Sequence, residues 1–266
     1  MKKRCIAFNL LILFLGLTCL SYAQTESEDL PLGMIFGVGV GAEYFSQTIS
    51  WDDDTQKSSM PTFLITLNAD VEIIDGLILG AIVGYASSKF NDMVFRELPV
   101  SLEYQAGSIG GFAFGAEAQY TFFSTYDFDI SAVGQYLFYS GATKDWAIPG
   151  LAVEGTAQGK PKWTRAVLGL CIEYAGFDDL YPYLTAAYSP LSGRMELDES
   201  IDSLTGNEKK DFSGRSNFML GLGGLYELTD SIGITAEIDL KPYSGSGDYY
   251  DGGIDFGVVV KVRYEF

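Results

Sequence analysis

Residues 252–266 read GGIDFGVVVKVRYEF. Ile254, Phe256, Val258, Val260, Val262, Tyr264 and Phe266 take every second position, and Asp255, Gly257, Lys261, Arg263 and Glu265 fill most of the gaps. A period of two sets one apolar and one polar row on opposite faces of a strand. The stretch therefore predicts a long strand with one oily face.

The same alternation recurs upstream. Phe63, Ile65, Leu67, Ala69, Val71 and Ile73 oppose Thr66, Asn68, Asp70 and Glu72. Phe112, Phe114, Ala116, Ala118, Tyr120 and Phe122 oppose Gly115, Glu117, Gln119 and Thr121, and Phe218, Leu220, Leu222 and Tyr226 oppose Asn217, Gly221, Gly223 and Glu227. Four tight turns carry acidic residues: Asp75-Gly76, 124–127, Asp178-Asp179 and 229–231. Longer polar connectors near 50–60, 89–107, 141–162, 195–213 and 244–252 alternate with them. These connections join ten strands, near 33–49, 61–74, 77–88, 108–123, 127–140, 163–177, 181–194, 214–228, 231–243 and 252–266. Val100, Leu102 and Tyr104 alternate with polar residues and predict β structure inside the second long loop, with eight or twelve strands as the alternative counts.

Residues 1–23 read as an export signal: Lys2, Lys3 and Arg4, an apolar run from Leu10 to Leu17, and Ser21-Tyr22-Ala23 before Gln24. Three of the 17 basic residues and none of the 35 acidic ones fall there, leaving 14 against 35 and a net charge of −21 for 24–266, read as one domain. That charge argues against nucleic acid as a partner. Of three cysteines only Cys171 remains, so no intrachain disulfide is expected. The longest apolar stretch, 77–86, is far short of the roughly 20 residues of a membrane helix. A bilayer-spanning form would have to be a closed barrel, which also pairs every backbone group.

An apolar strand ending on Phe266, with Tyr264 two positions earlier, resembles the C-terminal insertion signal of bacterial outer-membrane β-barrels. With the signal segment, the alternation and the short and long connections, the chain resembles a small single-domain protein of that architecture. The resemblance implies an all-β fold, a closed antiparallel transmembrane barrel of about ten strands with apolar rows toward lipid and aromatic girdles at its rims. It also implies outer-membrane lipid and the barrel-assembly machinery as partners, and both termini on the periplasmic side. Ten strands are also the layout of the omptin proteases, whose activity uses an Asp–His pair beside a second Asp pair. This chain has no histidine, so that activity does not transfer.

The missing histidine also excludes Ser–His triads and His-based zinc sites. No catalytic residue, metal site or cofactor is expected. Acidic runs at 51–54 and 248–251 lack the spacing of a calcium loop, and Gly37, Gly39 and Gly41 alternate within a strand, unlike a phosphate loop. The inward rows instead predict a lumen. Glu43, Asp70, Glu72, Glu117, Glu173, Glu227, Glu237 and Asp239 face Arg165, Lys241, Lys261 and Arg263 among many glycines. Eight acids and four bases predict a narrow, wet, acidic interior open to water, a small solute or a cation, with a salt-bridged plug around Lys261, Arg263, Glu237 and Glu227 as the alternative. The leading expectation is a non-enzymatic barrel, a narrow pore or a structural surface protein. The runner-up is an adhesin working through 141–162 and 195–213, its ligand not specified by any motif.

Overall fold

The computed structural model describes residues 34–52, 57–90, 93–95, 102–104, 106–147, 155–201, 204–244 and 252–266. The expected export signal and the acidic run 248–251 lie outside the described residues, as do Asp53 and Asp54. In chain order the strands are β1 (Ile35–Trp51), β2 (Lys57–Ile74), β3 (Leu77–Phe90), β4 (Met93–Phe95), β5 (Leu102–Tyr104), β6 (Gly107–Ser124), β7 (Phe128–Gly141) and β8 (Lys144–Ala147). There follow β9 (Gly155–Tyr174), β10 (Leu180–Tyr188), β11 (Leu191–Ile201), β12 (Leu204–Gly214), β13 (Phe218–Thr229), β14 (Ile232–Tyr243) and β15 (Gly253–Glu265).

Ten of them close an antiparallel barrel in the order β1-β2-β3-β6-β7-β9-β10-β13-β14-β15 and back to β1. Tight turns join its strands at one end; at Asp75-Gly76 the glycine takes φ 77°, a conformation an L side chain resists. β4 and β5 pair within the second long loop, as the alternation around Leu102 predicts.

The loop end departs from the expected layout. Connectors 141–162 and 195–213, read as polar loops, are built largely of strands. β9 runs upward to Gly155 with β8 beside it, and β11 and β12 form a hairpin registered from Ser192↔Ser213 to Ile201↔Leu204. β11 pairs with the upper half of β9, while β12 crosses to the end of β1 at Ile49↔Gly214, Ser50↔Ser213 and Trp51↔Phe212. The expected seventh and eighth strands are thus each divided. Pro190, which has no N–H to give a ladder, ends one half, and Arg215-Ser216-Asn217 interrupts the other. Above this break the wall closes as an eight-stranded tube, β1-β2-β3-β6-β7-β9-β11-β12, that leaves out β10, β13, β14 and β15.

The two storeys have opposite polarity. On the ten-stranded storey the outward row is apolar and exposed, as at Phe63, Ile65 and Leu67 on β2 and Ile254 through Val262 on β15. The outward row from Phe63 to Ile73 spans about 25 Å along the barrel axis once strand tilt is allowed for. Tyr44, Phe63, Tyr85, Phe112, Tyr188 and Phe218 lie at its upper rim; Tyr120, Phe122, Phe128, Tyr226 and Phe266 lie toward the turn end. In the eight-stranded storey the outer face is polar and the interior apolar. Eight strands leave a space that side chains can fill, and Phe45, Ile49, Trp51, Met60, Leu64, Phe90, Leu137, Tyr139, Trp163, Met195, Leu197 and Phe212 fill it.

Trp163 is central to this packing. Its ring stacks on Tyr139 at 5.1 Å and meets Phe45 edge-on at 5.7 Å, and its Nε1 donates to Ser88 Oγ at 3.0 Å. Each buried ring also has its polar atom satisfied where it carries one: Tyr139 donates to the Ile109 carbonyl at 2.7 Å and Trp51 Nε1 to Ser58 at 2.9 Å. Trp163→Ala is therefore expected to lower stability by about 3–5 kcal/mol. The check is urea unfolding in detergent micelles; a midpoint within error of the parent's would contradict a load carried by this core.

Candidate functional site

The lumen of the ten-stranded storey is the concave polar surface that the alternation provides. Its inward rows carry the charged residues read from the sequence, and its dimensions decide how they meet. Glu43 on β1 and Arg165 on β9 stand on opposite walls, five strands apart around the ring. The guanidinium reaches across and grips the carboxylate with both terminal nitrogens, Nη2 to Oε2 at 2.9 Å, while Nη2 also donates to Gln135 Oε1 at 3.1 Å. Arg165 further lies over the Phe45 ring, 4.8 Å from its centroid. The pair forms a strut across the barrel at the base of the apolar core.

Below it, Lys261 on β15 reaches Glu117 on β6 at 3.2 Å, and Arg263 on β15 holds Asp70 on β2 with Nε at 3.1 Å and Nη2 at 2.5 Å. Gly37 permits this second contact, because a Cβ there would stand 2.5 Å from Arg263 Nε. The side chains of Lys261 and Arg263 are 32% and 31% exposed and Glu117 25%, while Asp70 and Arg165 are 6% and 5% exposed. Water reaches the lower lumen and fades out at the strut.

Beside the strut, Lys241 is buried, donates to Ser189 Oγ at 3.2 Å and faces Glu43, Asp239 and Asp255. Asp255, absent from the sequence-predicted set, accepts from Thr48 N and Oγ1, both at 2.8 Å, and so ties β15 to β1 where their pairing ends. Glu72 accepts from the Gly76 N–H at 2.8 Å and acts as a turn cap. Glu227 is exposed near the turn end, beside the Tyr181 hydroxyl at 3.3 Å. Among the described residues neither Glu237, on β14 next to Lys261's strand, nor Glu173 on β9 makes an ion pair with Lys261 or Arg263, so the plug expected around Lys261, Arg263, Glu237 and Glu227 takes different partners, Glu117 and Asp70.

The glycines do not leave the open space expected of them. Neighbouring side chains fold over them, Arg263 over Gly37, Thr66 over Gly41 and Tyr183 over Gly223. A cavity of ≈ 20 Å³ remains between Glu43, Asn68, Gln135 and Lys261, room for about one water molecule, which suits the unpartnered Asn68 Oδ1 on its wall. The acidic lumen is therefore confined to the turn-end storey, and an apolar core that sequence reasoning missed fills the other. A signal existed: the inward rows change from polar to apolar toward the loops, Asn68 to Leu64 and Met60, and Arg165 to Trp163.

On the outer face of the upper storey, β9, β11 and β12 present cross-strand rows, Lys162–Arg194–Asp211 and Lys160–Glu196–Lys209. Arg194 Nε donates to Asp211 at 2.5 Å, and this contact holds the Asp211 carboxyl below its ordinary range.

No protein-family profile and no curated protein sequence matches the chain. Solved structures do. The outer membrane protease OmpT from Escherichia coli superposes with a TM-score of 0.52 at 12% identity, over 91% of this chain and 100% of that one. The translocator domain of the autotransporter NalP from Neisseria meningitidis gives 0.51 at 12% identity, over 98% and 97%. The fold is that of the bacterial outer-membrane β-barrels.

The strut yields a direct test. Arg165→Met leaves Glu43 buried without its cation and is expected to cost about 3–5 kcal/mol. Adding Glu43→Leu should restore most of that loss, read as unfolding midpoints in lipid micelles. Equal losses in the single and double variants would show that the pair is not coupled.

Proposed function

We propose that this protein is a non-enzymatic barrel of the bacterial outer membrane, with its turns and both termini toward the periplasm, that works as a closed structural surface protein. One observation carries the reading. Above the apolar belt the wall narrows to eight strands, and their interior is packed solid with buried aromatic and aliphatic side chains. A solute entering the lower lumen meets first the Arg165–Glu43 strut and then this core. A channel needs a continuous wet path, and the arrangement supplies a dead end.

The absence of histidine from the whole sequence and the use of Arg165, Lys261 and Arg263 in ion pairs support a role without catalysis. The belt of outward apolar rows supports lipid as the immediate partner. A surface-binding role is the second reading, and the rigid sheet of β9, β11 and β12 favours it. Segments that would be mobile loops are instead held in register, so their charged rows form a preordered surface.

Purified protein in planar bilayers is expected to give no conductance steps. Combining Trp163→Gly, Tyr139→Gly and Phe90→Gly should open a leak if that variant still inserts, as judged by its heat-modifiable folded band. Steady cation-selective steps from the parent protein would overturn the closed-barrel reading.

A further inference from the structure

The upper storey keeps an open sheet edge. Successive residues of a strand turn their backbone groups toward opposite neighbours, and the Asp52 N–H donating to the Asp211 carbonyl at 2.9 Å shows which way β12 alternates. Asp211 faces β1, so Lys209, Asn207 and Thr205 face the same side, while Leu204, Gly206, Glu208 and Lys210 turn their backbone toward β11. β1, however, ends at Trp51, opposite Phe212. Among the described residues no strand continues along β12 beyond that point. The N–H and C=O groups of the exposed Thr205, Asn207 and Lys209 therefore point away from the sheet in a regular row, with no proline and no register shift in the hairpin. Such an edge is a template for another strand.

Height and charge decide which strand fits. The path along β1 from Tyr44 at the aromatic rim to Trp51, and along β12 from Phe212 to Asn207, carries the edge about 30 Å above the rim once strand tilt is allowed for. It stands clear of the bilayer. Like charges directly opposite destabilise a strand pair, and Lys209 on the outer row, with Glu208 and Lys210 on the inner row, exclude most strands on that ground. A second copy of β12, antiparallel and centred on Asn207, avoids the clash at every position: Asn207 meets Asn207, Thr205 meets Lys209, Gly206 meets Glu208, and Leu204 meets Lys210. It is also the register in which all three edge residues of both copies exchange their backbone bonds. Centring on Lys209 would set two lysines face to face, and centring on Thr205 would carry Asn207 and Lys209 past the Leu204 end of the opposing strand.

We propose that the β12 edge binds the β12 edge of a second copy of this chain, joining two β8-β9-β11-β12 sheets into one. The two-fold axis of such a pair stands normal to the joined sheet. In a barrel wall that normal lies in the plane of the membrane, so the rotation inverts one barrel relative to the other. Copies in one membrane cannot pair this way. The contact links copies in two apposed membranes, cell to cell. This cell-to-cell role rests on the reading that places the loop end outside; the edge pairing itself does not.

The test uses the purified full chain in two populations of phosphatidylcholine vesicles, one carrying a donor and one an acceptor lipid dye. Loop ends are shown to face out by external labelling of Asp198→Cys in a Cys171→Ser background. Mixing the populations should cluster them. Asn207→Pro should slow clustering about tenfold, because it removes the central N–H of each copy while leaving the β11 ladder, to which that N–H does not contribute, and the heat-modifiable folded band intact. Asn207→Ala should cluster as the parent does. Thr205→Lys, which sets lysines opposite one another, should weaken clustering, and Thr205→Glu should strengthen it. Asn207→Cys, with Cys171→Ser, should form a disulfide between copies, since Cα atoms paired in this way stand about 5.5 Å apart. Absence of clustering, clustering unchanged by Asn207→Pro, or equal inhibition by a peptide of residues 204–210 and by its scrambled form would each overturn the second-copy assignment. Labelling of Asp198→Cys on intact cells bears on the outward orientation alone, so the two readings fail on different measurements.

Discussion

Everything in this fold depends on the pairing of β15 with β1. The register runs from Gly37↔Glu265 to Ser46↔Phe256, and reciprocal backbone bonds between Phe36 and Phe266 complete it, with the two rings stacked 6.1 Å apart. A sheet with an apolar outer face cannot leave an edge in lipid, where no water satisfies the exposed N–H and C=O groups. Closure is therefore required of the belt, and once the wall is closed the inward row has no other environment than the lumen. Polarity of that row, and the number of strands around it, then determine what the interior is.

The change from ten strands to eight is the decision that separates this barrel into two solvents. At the level of the belt the ring is wide enough for water and for long side chains that reach from wall to wall. Above it, β12 turns away from β13 and closes on β1, and the circumference shrinks to one that Trp163, Tyr139 and their neighbours can fill. Seam contacts hold the divergence: Gln47 donates to the Ser216 carbonyl at 3.1 Å, Ser216 Oγ to the Pro242 carbonyl at 2.8 Å, and the Arg215 N–H to the Thr48 carbonyl at 2.9 Å. Polar groups freed where two strands part are thereby returned to partners, as buried backbone requires.

The outward half of this structure was legible in the sequence because lipid imposes a simple rule on it. Period-two apolar rows and acidic tight turns located the ten strands and their phase, down to the exposed Phe63, Ile65 and Leu67 and the buried Thr66, Asn68 and Asp70. The upper storey was obscured because there the rule inverts. Met195 and Leu197 alternate with Glu196 and Asp198 as a strand should, but beside so many charges 195–213 reads as a solvated loop. The lumen charges were identifiable by type and not by partner. Which carboxylate meets Arg165 depends on the stagger of strands around the ring, and Glu43 lies 122 residues away on the far wall.

The position of the strut follows from the same gradient. An ion pair in full water is worth little, and one in a fully apolar core must overcome the desolvation of both ions. Arg165 and Glu43 stand between these limits, where water has thinned but Gln135, the Phe45 ring and the fork geometry remain to satisfy the charges. Replacing either by an apolar residue would extend the core downward while leaving a buried charge on the opposite wall. Keeping both gives the core a polar floor and pins β1 to β9 across the barrel, the two strands on which β12 and β11 close the upper storey. The lumen charges thus act first as structure: they fix the wall positions that let eight strands close above ten.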